Sequence, residues 1–275
     1  CRTAADMIHQ HARERPGQPF LLFASTDMPH VPWCTPAPYV DRYDVDRMDP
    51  WPNYDDDLED KPVAYRKHYN GWDFCRVPGN WPLAARALAH YYGMVTLIDE
   101  AFGQILRALE EAGQRENTLV VVTSDHGELM GAHKMRLKGT VPYEELYHIP
   151  CIAKLPKGIE PARRSIDDLV SSVALPGTLI RAAGLAVPDQ FQNRHCYDAF
   201  FRTEPPQEEY LFFEHYAAYW GIHPFYAVRT PTHKYVRYYG PDNCEELYDL
   251  VADPHEMHNR NSDHCNFEIL HQTLF

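Results

Sequence analysis

Asp125 and His126 are the side chains in this sequence whose types and position best suit chemistry. They follow the apolar run at residues 119–122, which is typical of a strand buried on both faces. Ligands of open α/β sheets bind just beyond the carboxyl ends of such strands. A carboxylate oxygen and an imidazole nitrogen delivered there predict a divalent cation site, and Mn²⁺, Zn²⁺ and Ca²⁺ all accept these ligands. The alternative is that the pair only forms a turn that caps the next helix.

Lys138 and His133 follow this pair and add a cation and a second imidazole. Lys138 lies 13 positions after Asp125, where its ammonium would neutralise an oxygen of a bound sulfate or phosphate. His133 lies eight positions after Asp125, where it would orient a metal ligand or contact a substrate. The alternatives are an ordinary solvated lysine and a surface histidine in a loop.

His30 stands beyond the end of a second apolar stretch, residues 19–25, which we predict to be a strand. Two strands that end at the same edge of a sheet would bring His30 into the pocket that holds Asp125. A histidine in that pocket would act as a general acid and protonate a leaving oxygen. The alternative is a turn histidine beside Pro29 and Pro32.

A long helix and several short apolar segments must position these residues. Apolar side chains recur every three or four positions across residues 82–112, which predicts one helix that Gly113 ends in a left-handed turn. After about residue 205 the chain changes to short aromatic and β-branched segments, which predict an antiparallel sheet. Those segments are residues 210–215, 225–229, 234–239 and 246–250. We therefore predict an α/β domain at residues 1–204 and a small antiparallel α+β subdomain at residues 205–275.

The composition argues against several classes of protein. The 275 residues carry 26 Lys and Arg against 39 Asp and Glu, a net charge of −13, which disfavours nucleic acid as a partner. No apolar stretch reaches the roughly 18–20 residues that span a membrane. The seven cysteines form no C-x-x-C pair, which favours free thiols over a zinc–thiolate site or a disulfide framework. The acidic run at residues 55–57 predicts a solvated loop.

Longer segments around these residues resemble the sulfatase family of the alkaline-phosphatase superfamily. Residues 124–156, SDHGELMGAHKMRLKGTVPYEELYHIPCIAKLP, are similar to the family's second metal-and-anion motif. Residues 19–33 and 87–113 are similar to its histidine loop and to the long helix before the metal strand. Residues 225–239 and 245–259 are similar to its C-terminal subdomain, which ends in an ELYDL-x-x-DP-x-E-x-x-N signature. The resemblance extends from about residue 5 to residue 265.

The resemblance implies an alkaline-phosphatase-like mixed sheet flanked by helices, and a metal-dependent sulfuric ester hydrolase. It implies that Asp125 and His126 ligate a divalent cation, with Ca²⁺ favoured and Mn²⁺, Mg²⁺ or Zn²⁺ as alternatives. It also implies that Lys138 and His30 contact the sulfate, with His30 near the leaving group. The family nucleophile is a formylglycine made from Cys or Ser in a C-x-P-x-R-type motif. Its hydrate attacks sulfur, and the substrate would be a small-molecule or carbohydrate sulfate ester.

The nucleophile motif is the part of the family pattern that this sequence does not match. In the family, this motif and the aspartate pair of the first strand precede the segments seen here. Cys1 has neither Pro nor Arg at the required steps, and Cys34 is followed by Pro38 where Arg is required. We therefore expect a fragment that lacks the nucleophile, leaves the cation with two protein ligands and is inactive alone.

Two alternative functions stay open at this point. One is a phosphonate monoester or phosphodiester hydrolase of the same superfamily, since Asp and His at the metal suit both chemistries. The other is a non-catalytic, truncated remnant. The sequence indicates no membrane span, and it defines neither the compartment nor the oligomeric state.

Overall fold

The computed structural model describes residues 1–62, 81–138, 141–159, 165–191, 209–216, 224–239 and 244–261. These residues form two compact units. The first comprises Cys1–Pro50, Val77–Val121 and Lys154–Gly158, and the second comprises Trp51–Arg76, Val122–Ala153 and Ile159–Phe275. The predicted domain boundary at residue 204 lies outside the described residues.

Helices dominate the first unit. Helix α1 (Arg2–Glu14) and the short helix α2 (Ala37–Val40) both pack against the long helix α3 (Trp81–Glu111). The predicted helix at residues 82–112 is thereby confirmed, and Gly113 follows it with φ of +67°. Ile8 of α1 packs with Ala108 and Leu109 of α3, so the apolar stripe of each helix is buried against the other.

Residues 19–25 are not the strand that we predicted, because they join no sheet formed by the described residues. Phe20 and Leu22 pack against the α1–α3 core, whereas Leu21 and Phe23 are 85% and 89% exposed. One face of the segment is therefore buried as a strand's would be. Alternating burial alone does not make a strand, since a strand also needs a neighbour for its backbone N–H and C=O groups.

Two short strands carry the chain to and from the Asp125–His126 motif. Strand β1 (Val120–Thr123) pairs with strand β2 (Cys151–Lys154). The apolar run at residues 119–122 thus predicts the strand correctly, although its side chains are half-buried rather than enclosed. Between the strands lie a 3₁₀ turn (Ala132–Lys134) and helix α4 (Glu144–Tyr147), and helix α5 (Leu175–Ala182) follows β2.

The antiparallel sheet predicted near the C-terminus is present in the second unit. Its order is β3–β4–β5–β6, which are Leu211–His215, Phe225–Arg229, His233–Tyr238 and Glu245–Asp249. One face contributes Phe225, Ala227, Val236, Tyr238 and Tyr248 to the main core. Their partners come from the stretch after the Asp125–His126 motif, and they are Leu129, Ala132, Met135, Val141, Tyr143 and Leu146. Each large apolar side chain buried there contributes about 1.5–3 kcal/mol, so the sheet supports the segment that leads to Lys138.

Candidate metal and anion site

A tight turn at the end of β1 presents Asp125 and His126. Thr123 Oγ1 donates to the Pro150 carbonyl at 2.9 Å, and Ser124 Oγ donates to the His126 carbonyl at 2.7 Å. Gly127 N donates to the Leu146 carbonyl at 2.9 Å. A Cβ on Gly127 would lie 1.8 Å from the Glu145 carbonyl oxygen, so only glycine lets this turn approach α4.

The His126 ring lies between its own backbone and the Lys138 ammonium. Nδ1 lies 2.7 Å from the Gly127 carbonyl oxygen, which can only accept, so Nδ1 carries the hydrogen and donates it. Nε2 therefore accepts, and Lys138 Nζ donates to it at 3.2 Å. This tautomer presents a lone pair on Nε2, which is the arrangement that a metal-ligating histidine needs.

The Asp125 carboxylate lies beside the same ring and faces solvent. Its side chain is 86% exposed, and Oδ2 lies 3.7 Å from His126 Nε2. Partial burial raises the pKa of Asp125, but the His126 ring, backbone N–H bonds and the Lys138 ammonium outweigh it and lower the pKa below its usual value. The carboxylate is therefore charged at neutral pH and open to a cation.

The structure brings Asp125, His126 and Lys138 together at one exposed rim of the second unit. These donors fit a divalent cation, since they combine a charged oxygen with an imidazole nitrogen whose lone pair accepts a hydrogen bond from Lys138. Among the residues that the structure describes, no group of three or more His, Cys, Asp or Glu side chains gathers as a metal site. The described donor set is therefore a pair.

His133 does not lie on the surface, because its ring is 0% exposed. Nδ1 lies 2.6 Å from Asp56 Oδ2, and Nε2 lies 3.0 Å from Asn53 Nδ2. The ring stacks on Tyr143 with centroids 3.8 Å apart and planes 11° from parallel. The alternative of a surface histidine is thus wrong, and substrate contact by His133 stays a prediction without a described exposed face to support it.

Asp56 and Asn53 are buried partners that the sequence did not reveal. Asp55 and Asp57 are exposed, but Asp56 between them is 3% exposed, so the predicted solvated loop is wrong at its centre. Burial raises the pKa of Asp56, whereas hydrogen bonds from His133 and Leu58 N and the charge of Lys61 lower it, with a net decrease. The sequence of three consecutive aspartates does not indicate that Asp56 is the buried one, because its partner His133 lies 77 positions away in the chain.

His30 belongs to the first unit, whereas the other predicted site residues belong to the second. It is exposed, and its Nδ1 lies 2.9 Å from the Val31 carbonyl oxygen. The peptide bonds before Pro29 and Pro32 on either side of it are cis. Its convergence with Asp125 on one pocket stays a prediction.

Comparison with known proteins decides the family. The sulfatase family model matches residues 2–185, and the model for the C-terminal part of N-sulphoglucosamine sulphohydrolase matches residues 131–274. The chain belongs to the sulfatase family. The uncharacterized sulfatase YidJ of Escherichia coli K12 is 32% identical over 263 residues, which is 93% of this sulfatase chain but 49% of YidJ. The chain thus spans about half the length of this relative.

Solved structures share the fold along nearly the whole sulfatase chain. BT4656 in complex with its substrate D-glucosamine-2-N,6-O-disulfate superimposes with a TM-score of 0.84 at 22% identity, covering 99% of this chain and 68% of that one. The phosphonate monoester hydrolase from Silicibacter pomeroyi superimposes with a TM-score of 0.81 at 23% identity, covering 98% and 58%. The alkaline-phosphatase-like α/β fold is therefore confirmed, and at these identities the likeness speaks for fold alone.

Two general properties complete the description of this sulfatase chain. Sulfatases generally depend on a divalent metal, which agrees with the donor pair at Asp125 and His126. In the described part of the chain, no helix combines the length and the apolar character needed to cross a bilayer.

Proposed function

We propose that this chain carries the metal- and anion-binding half of a sulfuric ester hydrolase. The observation that carries the proposal is the contact between Lys138 Nζ and His126 Nε2 at 3.2 Å, beside a charged and exposed Asp125. One hard oxygen, one imidazole lone pair and one ammonium at a single rim match what a sulfate and its counter-cation require.

Asp125 and His126 would hold the divalent cation through Oδ and Nε2, and Ca²⁺ is the ion we favour. When bound, this cation supplies charge that stabilises the sulfate oxygens as negative charge develops on them. His126 already has the required tautomer, because the Gly127 carbonyl holds its Nδ1 hydrogen. The lowered pKa of Asp125 keeps that carboxylate ionised through the neutral range.

Lys138 would exchange its partner when the site fills. The lone pair of His126 Nε2 cannot serve both the ammonium and a cation, so the ammonium must turn to another acceptor. A sulfate oxygen in the same pocket is such an acceptor, and a charge-assisted bond to it would offset the growing negative charge. His30 would hold the proton that the leaving oxygen takes up.

The substrate class that we propose is a sulfated carbohydrate or small-molecule sulfate ester. The support is the family, together with the sulfated glucosamine bound by BT4656. The 275 residues contain no C-x-P-x-R segment, so we propose activity for an enzyme that includes a formylglycine, not for these residues by themselves.

The proposal is tested on the complete gene product loaded with Ca²⁺. Hydrolysis of 4-nitrophenyl sulfate is compared with hydrolysis of a 4-nitrophenyl phosphonate ester. We expect a higher kcat/KM for the sulfate, and a loss of about 10²–10³-fold in Lys138→Ala, because a charge-stabilising donor is removed. Lys157→Ala is the control, since Lys157 is an exposed lysine of the other unit.

Each other outcome of this assay selects a different function. A higher kcat/KM for the phosphonate would establish the phosphonate monoester hydrolase instead. If mass spectrometry shows that the enzyme contains formylglycine but it hydrolyses neither ester, the alternative of a non-catalytic remnant would be supported. An unchanged rate in Lys138→Ala would remove Lys138 from the site.

A further inference from the structure

The segment between His126 and Lys138 has an unusually strained backbone. Met130, His133, Lys134 and Leu137 have φ of 41°, 52°, 55° and 67°, and Gly131 has φ of 105°. Side chains other than glycine are disfavoured in this left-handed region, so such a run persists only where the surroundings over-determine it. We call residues 127–137 the connecting segment.

Hydrogen bonds inside the connecting segment define its shape. Gly131 N donates to the Met135 carbonyl at 2.7 Å, and Leu129 N donates to the Leu137 carbonyl at 3.2 Å. Glu128 Oε1 accepts from Met130 N at 3.2 Å and also from Leu137 N. These bonds close a compact loop, but they do not attach the loop to the rest of the unit.

A group of side chains helps to attach it, beside the bond that Trp51 Nε1 donates to the Met130 carbonyl at 2.9 Å. We call this group the histidine anchor, and it comprises the buried His133, Asp56 and Asn53 and the half-buried Glu145. His133 N donates to the Asn53 carbonyl at 2.9 Å, and His133 Nδ1 donates to Asp56 Oδ2 at 2.6 Å. Asn53 Nδ2 donates to both His133 Nε2 and Glu145 Oε1, the latter at 2.7 Å. His133 and Asp56 are 0% and 3% exposed, so water does not compete for these bonds.

The histidine anchor also reaches the other end of the connecting segment. Glu145 belongs to α4, and its carbonyl oxygen lies against Gly127 so closely that a Cβ there would be 1.8 Å away. The next residue, Leu146, accepts the Gly127 N–H at 2.9 Å. The histidine anchor therefore contacts both the turn that presents His126 and the strained loop that ends at Lys138.

We propose that His133 is a positioning residue, which acts through Asp56 and Asn53 to hold Lys138 against His126. This role is the alternative to the predicted substrate contact, and it agrees with a fully buried ring that stacks on Tyr143. The inference rests on the proposed function only for the role of Lys138, which is to bind the sulfate. The geometry itself can be measured without substrate or metal.

The test uses the 275-residue chain and a set of variants chosen by hydrogen-bond geometry. His133→Ala removes the ring. His133→Asn places an amide nitrogen near the position of Nδ1 and tolerates positive φ, so it keeps the bond to Asp56. His133→Gln places its amide at the position of Nε2 and loses that bond. Val228→Ala is the stability control, since Val228 packs with Tyr235 and Leu247 in a separate buried cluster.

Two measurements report whether the histidine anchor is intact in each variant. The first is the nuclear Overhauser effect between the Lys138 side chain and the His126 ring. The second is amide hydrogen exchange of Gly131 and Met135, corrected for global stability from urea unfolding. We expect His133→Ala and His133→Gln to lose the Overhauser effect and to exchange at least tenfold faster than the global change explains. His133→Asn should recover most of both signals, and Val228→Ala should retain both.

The possible failures are distinguishable. If the wild-type chain shows the Overhauser effect and His133→Ala keeps it with normal local exchange, the positioning role is rejected and the proposed site stands. If the wild-type chain shows no such effect, the site geometry and the proposed function lose their support. If His133→Ala does not fold, equal behaviour of the Asn and Gln variants would reject the role of the Asp56 bond.

Discussion

The second unit contains two sets of charged side chains that meet opposite environments. At the rim, Asp125 has an 86% exposed side chain and a lowered pKa. In strand β6 of the antiparallel sheet, Glu246 is 1% exposed, and burial together with the Glu256 charge raises its pKa to about 8, although Lys61 and Lys234 oppose this. The Asp125 carboxylate is thus ionised and accessible to a ligand, whereas the Glu246 carboxyl group is neutral at pH 7 and buried.

This difference separates charges that can bind a ligand from charges that hold the fold. Lys138 donates to His126 at an exposed rim, where water can solvate it if that partner is lost. Lys234 is 1% exposed, contacts Glu256 directly and lies 3.7 Å from Glu144. Water cannot replace a buried partner, so removing one side of this cluster leaves an uncompensated charge.

Lys234→Met is expected to have the largest effect on stability. It leaves the buried Glu256 carboxylate without the cation that it contacts and leaves Glu144 with Arg229 alone, which should lower the free energy of unfolding by about 3–5 kcal/mol. Urea unfolding at pH 7 measures this loss. Lys157→Met is the control, and Lys234→Met combined with Glu256→Gln should recover part of the loss. A cost in Lys234→Met no greater than in Lys157→Met would show that the buried cluster does not need its cation.

Gly127→Ala should damage the rim through the backbone. The added Cβ would overlap the Glu145 carbonyl oxygen at 1.8 Å, and relieving that overlap costs about 1–3 kcal/mol. Gly103→Ala is the matched control, because the nearest atom there, on the flexible Arg107 side chain, is 3.5 Å away and alanine favours the helix by about 0.5–1 kcal/mol. Thermal unfolding of both variants should show shifts of opposite sign. A stabilised Gly127→Ala would contradict the close approach of the turn to α4.

Glu246→Gln tests the buried set through its pH dependence. In the unfolded chain Glu246 loses its proton near pH 4.5, whereas in the folded protein it keeps the proton to about pH 8. The folded state binds more protons between these values, so this group's contribution to stability is full below pH 4.5 and is lost as the pH rises to 8. The neutral glutamine lacks that loss and should therefore become more stable than wild type as the pH rises to 8.

Urea unfolding from pH 4 to 9 measures this difference. The stabilities of Glu246→Gln and wild type should converge near pH 4 and diverge steadily to pH 8. Carboxyls with lowered pKa, such as Asp56 and Glu144, act in the opposite sense below about pH 4, and they cancel in the comparison because both proteins contain them. A constant difference at all pH values would mean that Glu246 titrates normally in the fold.

The local periodicity of apolar residues predicts most helices and strands of this protein, but it does not predict contacts between residues that are distant in sequence. The helix at 81–111 and the four C-terminal strands lie within one residue of their predicted bounds, because each has a regular apolar pattern and a clear end. The same reasoning fails at residues 19–25, where the outcome depends on a neighbouring strand. It also fails at Asp56, whose burial depends on His133, far away in sequence.

The candidate site also contains residues that lie close in sequence and residues that lie far apart. Asp125, His126 and Lys138 lie within one continuous motif, and spacing brings them close in the structure. The histidine anchor draws on residues 53 and 56 as well as 133 and 145, and no local pattern connects these positions. The proximity of residues within one motif can thus be predicted from their spacing, whereas the contacts of the histidine anchor depend on the folded structure.

Glu110→Gln should have the smallest effect on the free energy of unfolding, because it breaks an exposed ion pair and not a buried one. Glu110 accepts from Arg115 at 2.9 Å, a geometry as short as many buried pairs, but the two side chains are 63% and 45% exposed. Water solvates both charges when the pair is broken, so the change in free energy of unfolding should stay within about 0.5 kcal/mol and shrink further in 1 M NaCl. Urea unfolding at low and high salt measures it beside Lys234→Met. A loss approaching that of the buried lysine would mean that contact distance, and not burial, governs the strength of ion pairs in this protein.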